Sequence, residues 1–457
     1  MRIKDMVCLV FFMILPSWAF AQANLAKDLD QLIANIEPDA RVGVVIEDLT
    51  HKRKRYAHHA HEYFAPASIV KVYTAVRALS ELSPSFRYNT WLLTNASDIK
   101  RGVLQGDVFV RFSGDPSFTR EDLQAMFLGL KALGVKSIKG RVWIDDSAFS
   151  APVYPPGRVW DDLGYGYGAP IASVVINKNQ WRLYISPAKR AGEKAKIHYA
   201  SWVKPMRIDN AVRTTSGWSE QCPITVYTQG PNHVRVGGCM PQPSKDFYRN
   251  LAITDPVAVA QSIVTQTLSH LHMAHQGSVG VQSSPKDANY LLFHASKPLP
   301  KLLATMLQDS ENVYAESLLK RMSHRQDDQA RLSESIPIGH FRLSDGSGLS
   351  RYNRMTPNQF EEILSYAYQH PKIYQILMEA LAQPGEEGTM QKRHALEGTG
   401  VHAKTGSMTS IQSLAGFIPG PSGETLGFVI MANDFVVSRK TLIALENSIC
   451  KRIHDST

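Results

Sequence analysis

Three short polar motifs are spaced very unevenly along this chain of 457 residues. Ser68-Ile-Val-Lys71 lies near the beginning, Ser310-Glu-Asn312 follows after more than half of the chain, and Lys404-Thr-Gly406 follows after about a fifth more. At roughly 100–200 residues per domain, the length predicts two to four domains, with a core large enough to support a site. The architecture must therefore account for a long segment between the first two motifs.

The N-terminus has the pattern of a secretory signal peptide. Arg2 and Lys4 form a short basic start, Met6–Leu15 is almost wholly apolar, and Ala19-Phe-Ala21 has the small-x-small form of a cleavage site. The apolar stretch is too short to span a bilayer comfortably, although an uncleaved anchor is the alternative. We therefore predict a signal peptide over residues 1–21 and export of the remaining chain.

Export would place the cysteines in an oxidising environment, where disulfides persist. Cys222 and Cys239 flank two strand-like segments, 224–228 and 233–236. This pattern predicts a hairpin closed by a disulfide, which would stabilise the fold by about 3 kcal/mol. Two free thiols are the alternative.

Composition and charge exclude several classes of protein. The chain is 44% hydrophobic and 20% charged, which is ordinary for a globular protein and unlike a disordered one. The net charge of +9 is dispersed, and the aromatic-basic pattern of a nucleic-acid module is absent from the sequence. For an exported protein, a positive field favours peripheral contact with anionic envelope polymers or lipid headgroups at the membrane surface.

The last third of the chain has an α/β pattern, whereas the middle is richer in short strand-like runs. The helical spacing of apolar residues predicts a helix that begins at Pro66 and carries the first motif. Ser310 lies at a junction between two predicted helices, and the third motif precedes two strands that flank a Pro-Gly-rich hairpin turn. The predicted elements here are helices over 66–82, 302–308 and 313–322, and strands over 412–418 and 425–432.

The first motif places a lysine three residues after a serine on a helix, so both side chains lie on one face. A serine is a weak nucleophile until a base takes its proton, and Lys71 can do so only when it is neutral. Burial and nearby positive charge would have to lower its pKa from about 10.4 to near 7. On its own, the pattern is also compatible with an amphipathic helix that exposes the lysine.

The other two motifs carry complementary groups. From a turn, Ser310 and Asn312 can both point into a cleft, where the hydroxyl passes a proton and the carboxamide holds a substrate amide. On a strand, Lys404 and Thr405 supply a cation and a hydroxyl that bind a carboxylate, and Gly406 lets a ligand backbone approach closely. Together and in this order, the three motifs are those of β-lactamases and penicillin-binding proteins.

With these motifs, the sequence resembles the D-alanyl-D-alanine carboxypeptidase/endopeptidases among the class C low-molecular-mass penicillin-binding proteins, of the penicillin-binding protein 4 type. Further strings along nearly the whole mature chain carry the resemblance: Phe112–Phe118, Tyr167–Pro170, Ser310–Leu318, Asp345–Arg351 and Gly388–Arg393. The Asp-Gly-Ser-Gly-Leu-Ser-Arg string at 345–351 is quite specific.

The resemblance implies an α/β (α+β) transpeptidase-like catalytic domain of the serine penicillin-recognising type, interrupted by two nested, strand-rich insert domains. Other serine penicillin-recognising enzymes have far fewer residues between the first two motifs, so both inserts are expected in that interval. We expect the catalytic domain at 22–84 and 286–457, the insert called domain II at 85–150 and 247–285, and the insert called domain III at 151–246.

The resemblance further implies a periplasmic serine DD-peptidase that cleaves D-Ala-D-Ala and D-Ala–diaminoacid cross-links of peptidoglycan through an acyl-enzyme. Its expected partners are peptidoglycan stem peptides and β-lactam antibiotics. The residues expected to act are Ser68, Lys71, Ser310, Asn312 and Lys404 in catalysis, and Thr405, Gly406, Ser407, Leu349 and Arg351 in substrate binding. For Leu349 and Arg351, the alternative is a tight turn held by Gly346 and Gly348.

Three other functions are compatible with parts of the sequence. A β-lactamase shares the motifs but must deacylate fast, and no deacylating glutamate can be assigned. A non-catalytic envelope-binding protein would not need intact motifs. The histidines at 58–61 and 270–275 invite a metal hydrolase, but neither group has a zincin pattern, so we expect no metal and no cofactor. No feature of the sequence selects an oligomeric state.

Overall fold

A computed structural model describes the chain at residues 17–200, 202, 206–219, 221–244, 247–322, 338–420 and 422–456, with the backbone alone at 17–23. Most of the predicted signal peptide, residues 1–16, lies outside this range, and the predicted cleavage site after Ala21 falls within the first helix. In the described part, no helix is both long and apolar enough to cross a membrane.

The described helices are α1 Ser17–Ala34, α2 Val70–Glu81, α3 Arg120–Ala132, α4 Pro256–His270, α5 Leu299–Gln308, α6 Asn312–Met322, α7 Pro357–Gln369, α8 Pro371–Ala380 and α9 Arg439–Asp455. The described strands are β1 Arg41–Asp48, β2 Arg53–His58, β3 Asn89–Thr94, β4 Ile99–Lys100, β5 Val103–Leu104, β6 Val108–Arg111, β7 Ser137–Ile138, β8 Val142–Asp145, β9 Gln180–Ser186, β10 Lys196–Tyr199, β11 Arg207–Asn210, β12 Arg213–Thr215, β13 Thr225–Gly230, β14 His233–Gly237, β15 Cys239–Pro241, β16 Phe247–Ala252, β17 Gly280–Val281, β18 Asn289–Ala295, β19 His402–Met408, β20 Ile411–Pro419 and β21 Thr425–Asn433.

The first sheet is antiparallel throughout and has the strand order β19-β20-β21-β1-β2. Its strands send apolar side chains alternately to two faces, and helices cover both. On β21, Phe428 and Ile430 pack toward α1 and α9, whereas Val429 and Met431 pack toward α2, α5 and α7. The early and late parts of the chain thus complete one three-layered domain.

Helix α2 lies inside the helical layer and is buried on all sides. Every residue from Val70 to Ala78 is buried, and the helix contacts α5, α6, α7 and α8. A helix that is apolar nearly all round belongs in a core. Within this buried stretch, the charged residues Lys71 and Arg77 are only 0% and 2% exposed, which excludes the alternative of an exposed lysine in the first motif.

The long interval between the first two motifs folds into two further groups of strands. Strands β3, β6, β8, β17 and β18 form a five-stranded sheet that packs with α3 and α4, and strands β9–β16 form three small sheets. The two groups share one hydrophobic cluster, to which Leu123 and Val264 contribute from the first group and Leu183 and Val236 from the second.

The division into a split catalytic domain and two nested domains stays a prediction, and strand pairing shifts two of its boundaries. β16 pairs with β9, which groups residues 247–252 with domain III rather than with domain II. β18 pairs with β3, which favours a boundary of the predicted domain II beyond residue 285. In both cases the partner strand is distant in sequence, and local patterns do not identify it.

The hairpin predicted between the cysteines is present. β13 and β14 pair antiparallel, and a disulfide joins Cys222 to Cys239 just outside the two strands. The disulfide therefore closes the segment that contains the whole hairpin. Around the motifs, α5, α6, β20 and β21 agree with the predicted elements to within three residues at each end.

Candidate active site

Ser68 lies in a 3-10 turn, Ala67–Ile69, that leads directly into α2. Ala67 has a positive φ of 51°, and two glycines pack against this turn. A Cβ atom at Gly348 would lie 1.9 Å from the Ala67 carbonyl oxygen, and one at Gly406 would lie 3.0 Å from the Ser68 nitrogen. The glycine-rich string and the third motif therefore brace the turn that presents the serine.

Lys71 links Ser68 to the rest of the site. Its Nζ donates three hydrogen bonds, to Ser68 Oγ at 2.9 Å, to Asn312 Oδ1 at 2.7 Å and to the Ser347 carbonyl at 2.7 Å. The first lies three residues away, in the turn that leads into α2, whereas the other two come from the second motif and the glycine-rich string. A single amine thus joins three segments that are far apart in the sequence.

Burial lowers the pKa of both motif lysines, which are 0% exposed. For Lys71, desolvation is the largest effect and the charge of Arg158 adds to it, while Asp345 and Glu316 oppose them, so the pKa is lowered to about 7. Burial, and then the charge of Lys71, hold the pKa of Lys404 well below its usual value. A lysine with a pKa near 7 can act as a base at neutral pH.

Ser310 and Asn312 lie where α5 ends and α6 begins. Ser310 has a positive φ of 60°, and Asn312, the first residue of α6, is 8% exposed. While its Oδ1 accepts from Lys71, its Nδ2 donates to the Tyr167 carbonyl at 2.8 Å. The carboxamide is engaged at both ends, so holding a substrate amide, as expected from the sequence, requires the exchange of one of these hydrogen bonds.

The third motif lies on β19, the edge strand of the first sheet. Lys404 is buried and its Nζ donates to the Thr405 carbonyl at 2.7 Å. Gly406 makes room for the protein itself rather than for a ligand, because a Cβ there would lie 2.2 Å from Ser413 Oγ as well as close to Ser68. Ser407 is exposed, and the free side of an edge strand can pair with an extended peptide.

A cavity of about 400 Å³ brings the motifs together. Its described lining consists of Ser68, Asp162, Tyr167, Ser310, Asn312, Gly348, Leu349, Arg351, Ser407, Met408, Thr409 and Arg439. The first two motifs contribute to this lining, and so do Leu349, Arg351 and Ser407, the residue that follows the third motif. Arg351 also donates from Nη1 to the Thr409 carbonyl at 3.0 Å, whereas Lys71, Lys404, Thr405 and Gly406 are outside the described lining.

Five residues of this lining had no role predicted from the sequence: Asp162, Tyr167, Met408, Thr409 and Arg439. Asp162 and Tyr167 precede β9, and the Tyr167 hydroxyl donates to Asp162 Oδ1 at 2.9 Å. A signal existed for Tyr167, which begins one of the strings that carry the family resemblance. Asp162 had no such signal, because its position beside the motifs depends on how the long interval folds back.

Three charged residues with buried side chains lie behind Lys71, and none of them was predicted from the sequence: Arg158, Glu316 and Asp345. Arg158 Nη2 lies 2.7 Å from Glu316 Oε1 and 3.3 Å from Asp345 Oδ2. The three side chains are 4%, 2% and 0% exposed, respectively. Glu316 and Asp345 belong to the family strings at 310–318 and 345–351, which could have pointed to them, whereas Arg158 lies in a Pro-rich stretch without a signal.

Potential metal ligands also approach one another elsewhere in the described part of the chain. Donor atoms of Glu37, His58 and His59 lie within 4.8 Å of one another. They interact mainly with protein groups: His58 Nε2 lies 2.5 Å from Glu37 Oε1, and His59 Nδ1 lies 3.0 Å from the Val42 carbonyl. None of the three lines the cavity around Ser68.

Comparisons with known proteins identify the family to which this chain is similar. The family model for D-Ala-D-Ala carboxypeptidase 3 (S13) matches residues 25–451. The D-alanyl-D-alanine carboxypeptidase DacB of Haemophilus influenzae is 30% identical, and the match covers 91% of this chain and 89% of that protein. A D-alanyl-D-alanine carboxypeptidase of Actinomadura sp. is 27% identical, with 94% and 84% covered.

Comparison with solved structures shows which fold this chain shares. The crystal structure of penicillin-binding protein 4 from Haemophilus influenzae matches with a TM-score of 0.85 and 28% identity, over 93% of this chain and 99% of that one. This confirms the expected penicillin-recognising catalytic fold with strand-rich additions. The protein is thus a serine-type D-alanyl-D-alanine carboxypeptidase, and the chain belongs to the D-Ala-D-Ala carboxypeptidase 3 (S13) family.

Proposed function

We propose that Ser68 is the nucleophile and Lys71 the general base of this serine DD-peptidase. The position of Lys71 carries the proposal, because its amine lies 2.9 Å from Ser68 Oγ and burial lowers its pKa to about 7. A neutral amine accepts the hydroxyl proton as Oγ attacks the carbonyl carbon between two D-alanines. The products of this step are a protonated Lys71 and a tetrahedral adduct on Ser68.

The backbone N–H groups of Ser68 and Ser407 form the oxyanion hole for this adduct. Two observations support the assignment: both residues line the cavity, and Gly406 allows β19 to approach the Ser68 nitrogen. The N-terminal end of α2 also favours negative charge at this position. Each donor of this kind is typically worth about 2.7–4 kcal/mol in the transition state.

Ser310 relays the proton from Lys71 to the leaving amine. The C–N bond then breaks, the amine departs with that proton, and Ser68 retains the acyl group as an ester. Lys404 strengthens the positive field around this step, and Asn312 holds the substrate amide next to the bond that is cleaved. Water hydrolyses the ester and regenerates the free serine.

The terminal carboxylate of the substrate is bound by Lys404 and Thr405, with the Ser407 hydroxyl. Burial lowers the pKa of Lys404, so a carboxylate next to it would stabilise the protonated form. Binding of the substrate is therefore expected to take up a proton. The same carboxylate on a β-lactam would occupy this position.

The substrates are peptidoglycan stem peptides. Release of the terminal D-alanine is the carboxypeptidase reaction, and cleavage of a D-Ala–diaminoacid cross-link is the endopeptidase reaction. Arg351 and Leu349 line the cavity, and there they bind the polar end and the apolar stem of the diaminoacid side chain. A guanidinium suits the carboxylate that such a side chain carries.

Penicillins acylate Ser68 and leave slowly, which separates this enzyme from a β-lactamase, the alternative function. The similar penicillin-binding protein 4 of Haemophilus influenzae is known in complex with a β-lactam, in a structure that matches this chain with a TM-score of 0.80 and 27% identity. Glu316 is not placed to activate a deacylating water, because it is buried against Arg158 and Ser347 and does not line the cavity.

We infer that the enzyme acts in the periplasm after removal of residues 1–21. The charged, apolar and small-residue regions of the N-terminus support export. The Cys222–Cys239 disulfide requires an oxidising compartment, and the substrate lies outside the inner membrane. N-terminal sequencing of the enzyme recovered from periplasmic extract would check the cleavage position.

Purified cross-linked muropeptides test the proposed function directly. The wild-type enzyme should release free D-alanine and convert cross-linked dimers to monomers, and the Ser68→Ala variant should do neither. Release of D-alanine without loss of dimers would contradict the endopeptidase part. Rapid turnover of penicillin without release of D-alanine would establish the β-lactamase alternative instead.

A further inference from the structure

Arg158 lies far from the motifs in sequence but inside the catalytic core in space. It belongs to the segment between β8 and β9, which the sequence assigns to domain III. Its side chain is 4% exposed, and Nη2 reaches Glu316 at 2.7 Å, Ser347 Oγ at 3.1 Å and Asp345 at 3.3 Å. A charge buried this deeply has to be matched by partners, and two carboxylates match it here.

The two carboxylates hold one turn of the backbone. Glu316 accepts hydrogen bonds from the amides of Gly346 at 3.3 Å and Ser347 at 3.2 Å. Asp345 accepts from the amides of Gly348 at 2.9 Å and Ser350 at 2.8 Å. The conformation of residues 345–350, called the 345–350 turn below, therefore depends on where these two side chains lie.

The 345–350 turn contacts both residues to which we assign the acylation chemistry. The Ser347 carbonyl accepts a hydrogen bond from Lys71 Nζ at 2.7 Å. Gly348 packs against the turn that presents Ser68, with so little space that a Cβ would lie 2.9 Å from the Ser68 nitrogen. A displacement of this turn would consequently move the lysine amine relative to the serine hydroxyl.

We propose that Arg158 is a positioning residue of the active site, which holds Glu316 and Asp345 so that the 345–350 turn keeps Lys71 aligned with Ser68. This inference rests on the proposed roles of Ser68 and Lys71. It assigns a purpose to the segment of domain III that carries Arg158: the long insertion supplies a cation to the catalytic core. The reaction of Ser68 then depends on the position of domain III relative to the catalytic core.

The charges around Lys71 predict the direction in which the pKa of this lysine changes when Arg158 is replaced. Asp345, Glu316 and Glu311 favour its protonated form, whereas burial and Arg158 oppose it. Lys71 in turn lowers the pKa of the neighbouring Lys404. Without Arg158, two buried carboxylates face Lys71 with their guanidinium partner gone, so the pKa of the lysine rises. More of the amine is then protonated at neutral pH, where it cannot accept a proton.

The test measures the rate of acylation by a fluorescent penicillin between pH 5 and 9, in the full-length enzyme. Arg158→Gln removes the positive charge and should move the acid limb of the pH profile to higher pH by about one unit. At a pH below the midpoint, this shift lowers the acylation rate about tenfold. The replacement should also lower the plateau rate at high pH, because the turn is less well held. Arg235→Gln, an exposed arginine on β14, is the matched control and should leave the profile unchanged.

Arg158→Lys separates charge from geometry. It keeps a cation next to the carboxylates but loses the guanidinium fork, so the midpoint should stay near that of the wild type while the plateau rate falls severalfold. A folded Arg158→Gln enzyme with the wild-type midpoint and plateau would overturn the proposal. If Arg158→Gln does not fold, a wild-type plateau in Arg158→Lys would overturn it. Absence of labelling in the wild type would instead reject the proposed function itself.

Discussion

The amine of Lys71, on the buried helix α2, lies 2.9 Å from the hydroxyl of Ser68, in the turn that leads into this helix. The direction of this hydrogen bond depends on protonation. A charged ammonium can only donate, whereas a neutral amine offers a lone pair to the serine proton. The reactivity of Ser68 is therefore coupled to the protonation of a single buried residue.

Acylation should depend on pH through Lys71. Because burial lowers the pKa of the lysine to about 7, the neutral base predominates above that pH and is lost below it. We expect the rate of acylation by a fluorescent penicillin to reach a plateau above pH 7 and to fall about tenfold per unit below it. Melting temperatures across the same range control for unfolding, and a rate that stays level from pH 5 to 8 would argue against Lys71 as the base.

Replacement of Lys71 by arginine should abolish acylation while the charge is retained. A guanidinium stays protonated at all accessible pH values, so it cannot take the Ser68 proton. The expected loss is about 10²- to 10⁴-fold in the acylation rate, the usual contribution of a general base. Lys372→Arg, on an exposed position of α8, is the matched control. Retention of more than a tenth of the wild-type rate in Lys71→Arg would show that another group takes the proton.

A methyl group at position 406 should disturb the active site. The Cβ of Gly406→Ala would lie 2.2 Å from Ser413 Oγ and 3.0 Å from the Ser68 nitrogen, so β19 has to move away from the serine. A displacement of about 1 Å typically reduces the rate of a reaction about 10²-fold. The acylation assay with fluorescent penicillin would measure this loss. Gly217→Ala meets open space and should behave as the wild type. Unchanged acylation in Gly406→Ala would mean that the contact is not critical.

Loss of the disulfide should weaken the hairpin of β13 and β14. Cys222 and Cys239 are 17 residues apart, and closing a loop of this length stabilises a fold by about 3 kcal/mol. We expect Cys222→Ser combined with Cys239→Ser to lower the free energy of unfolding by that order, measured in urea. Reduction of the wild type should reproduce the effect. Equal stability of the oxidised and reduced proteins would contradict the expectation.

Arg351 should discriminate between substrates. If its guanidinium binds the carboxylate of a diaminoacid side chain, Arg351→Ala should lower kcat/KM by about 10- to 100-fold for a stem peptide that contains this residue, as expected for a hydrogen bond between charged groups. An N-acylated D-Ala-D-Ala dipeptide lacks the side chain and should be cleaved as by the wild type. Equal losses on both substrates would indicate a structural role for Arg351 instead.

The site could be predicted where its parts are local in sequence. Ser68 and Lys71 are only three residues apart in the chain, Cys222 and Cys239 close one hairpin, and the order of the three motifs carries the family resemblance. The helices and strands around the motifs followed from apolar periodicity in the same way. Strand pairing across long distances could not be predicted in this way: β16 pairs with β9 and β18 with β3, and the domain boundaries near these strands stay predictions.

The sequence by itself determined which groups are available: a serine with a lysine one helical turn away, and a second and third motif that complete a known constellation. Only the tertiary structure decided what state those groups are in. Complete burial of Lys71, its contact with Asn312, and the seating of Arg158 against Glu316 and Asp345 all bring together residues from distant parts of the chain. Desolvation and Coulomb interactions act through space rather than along the chain, so the pKa of Lys71 depends on the fold as a whole.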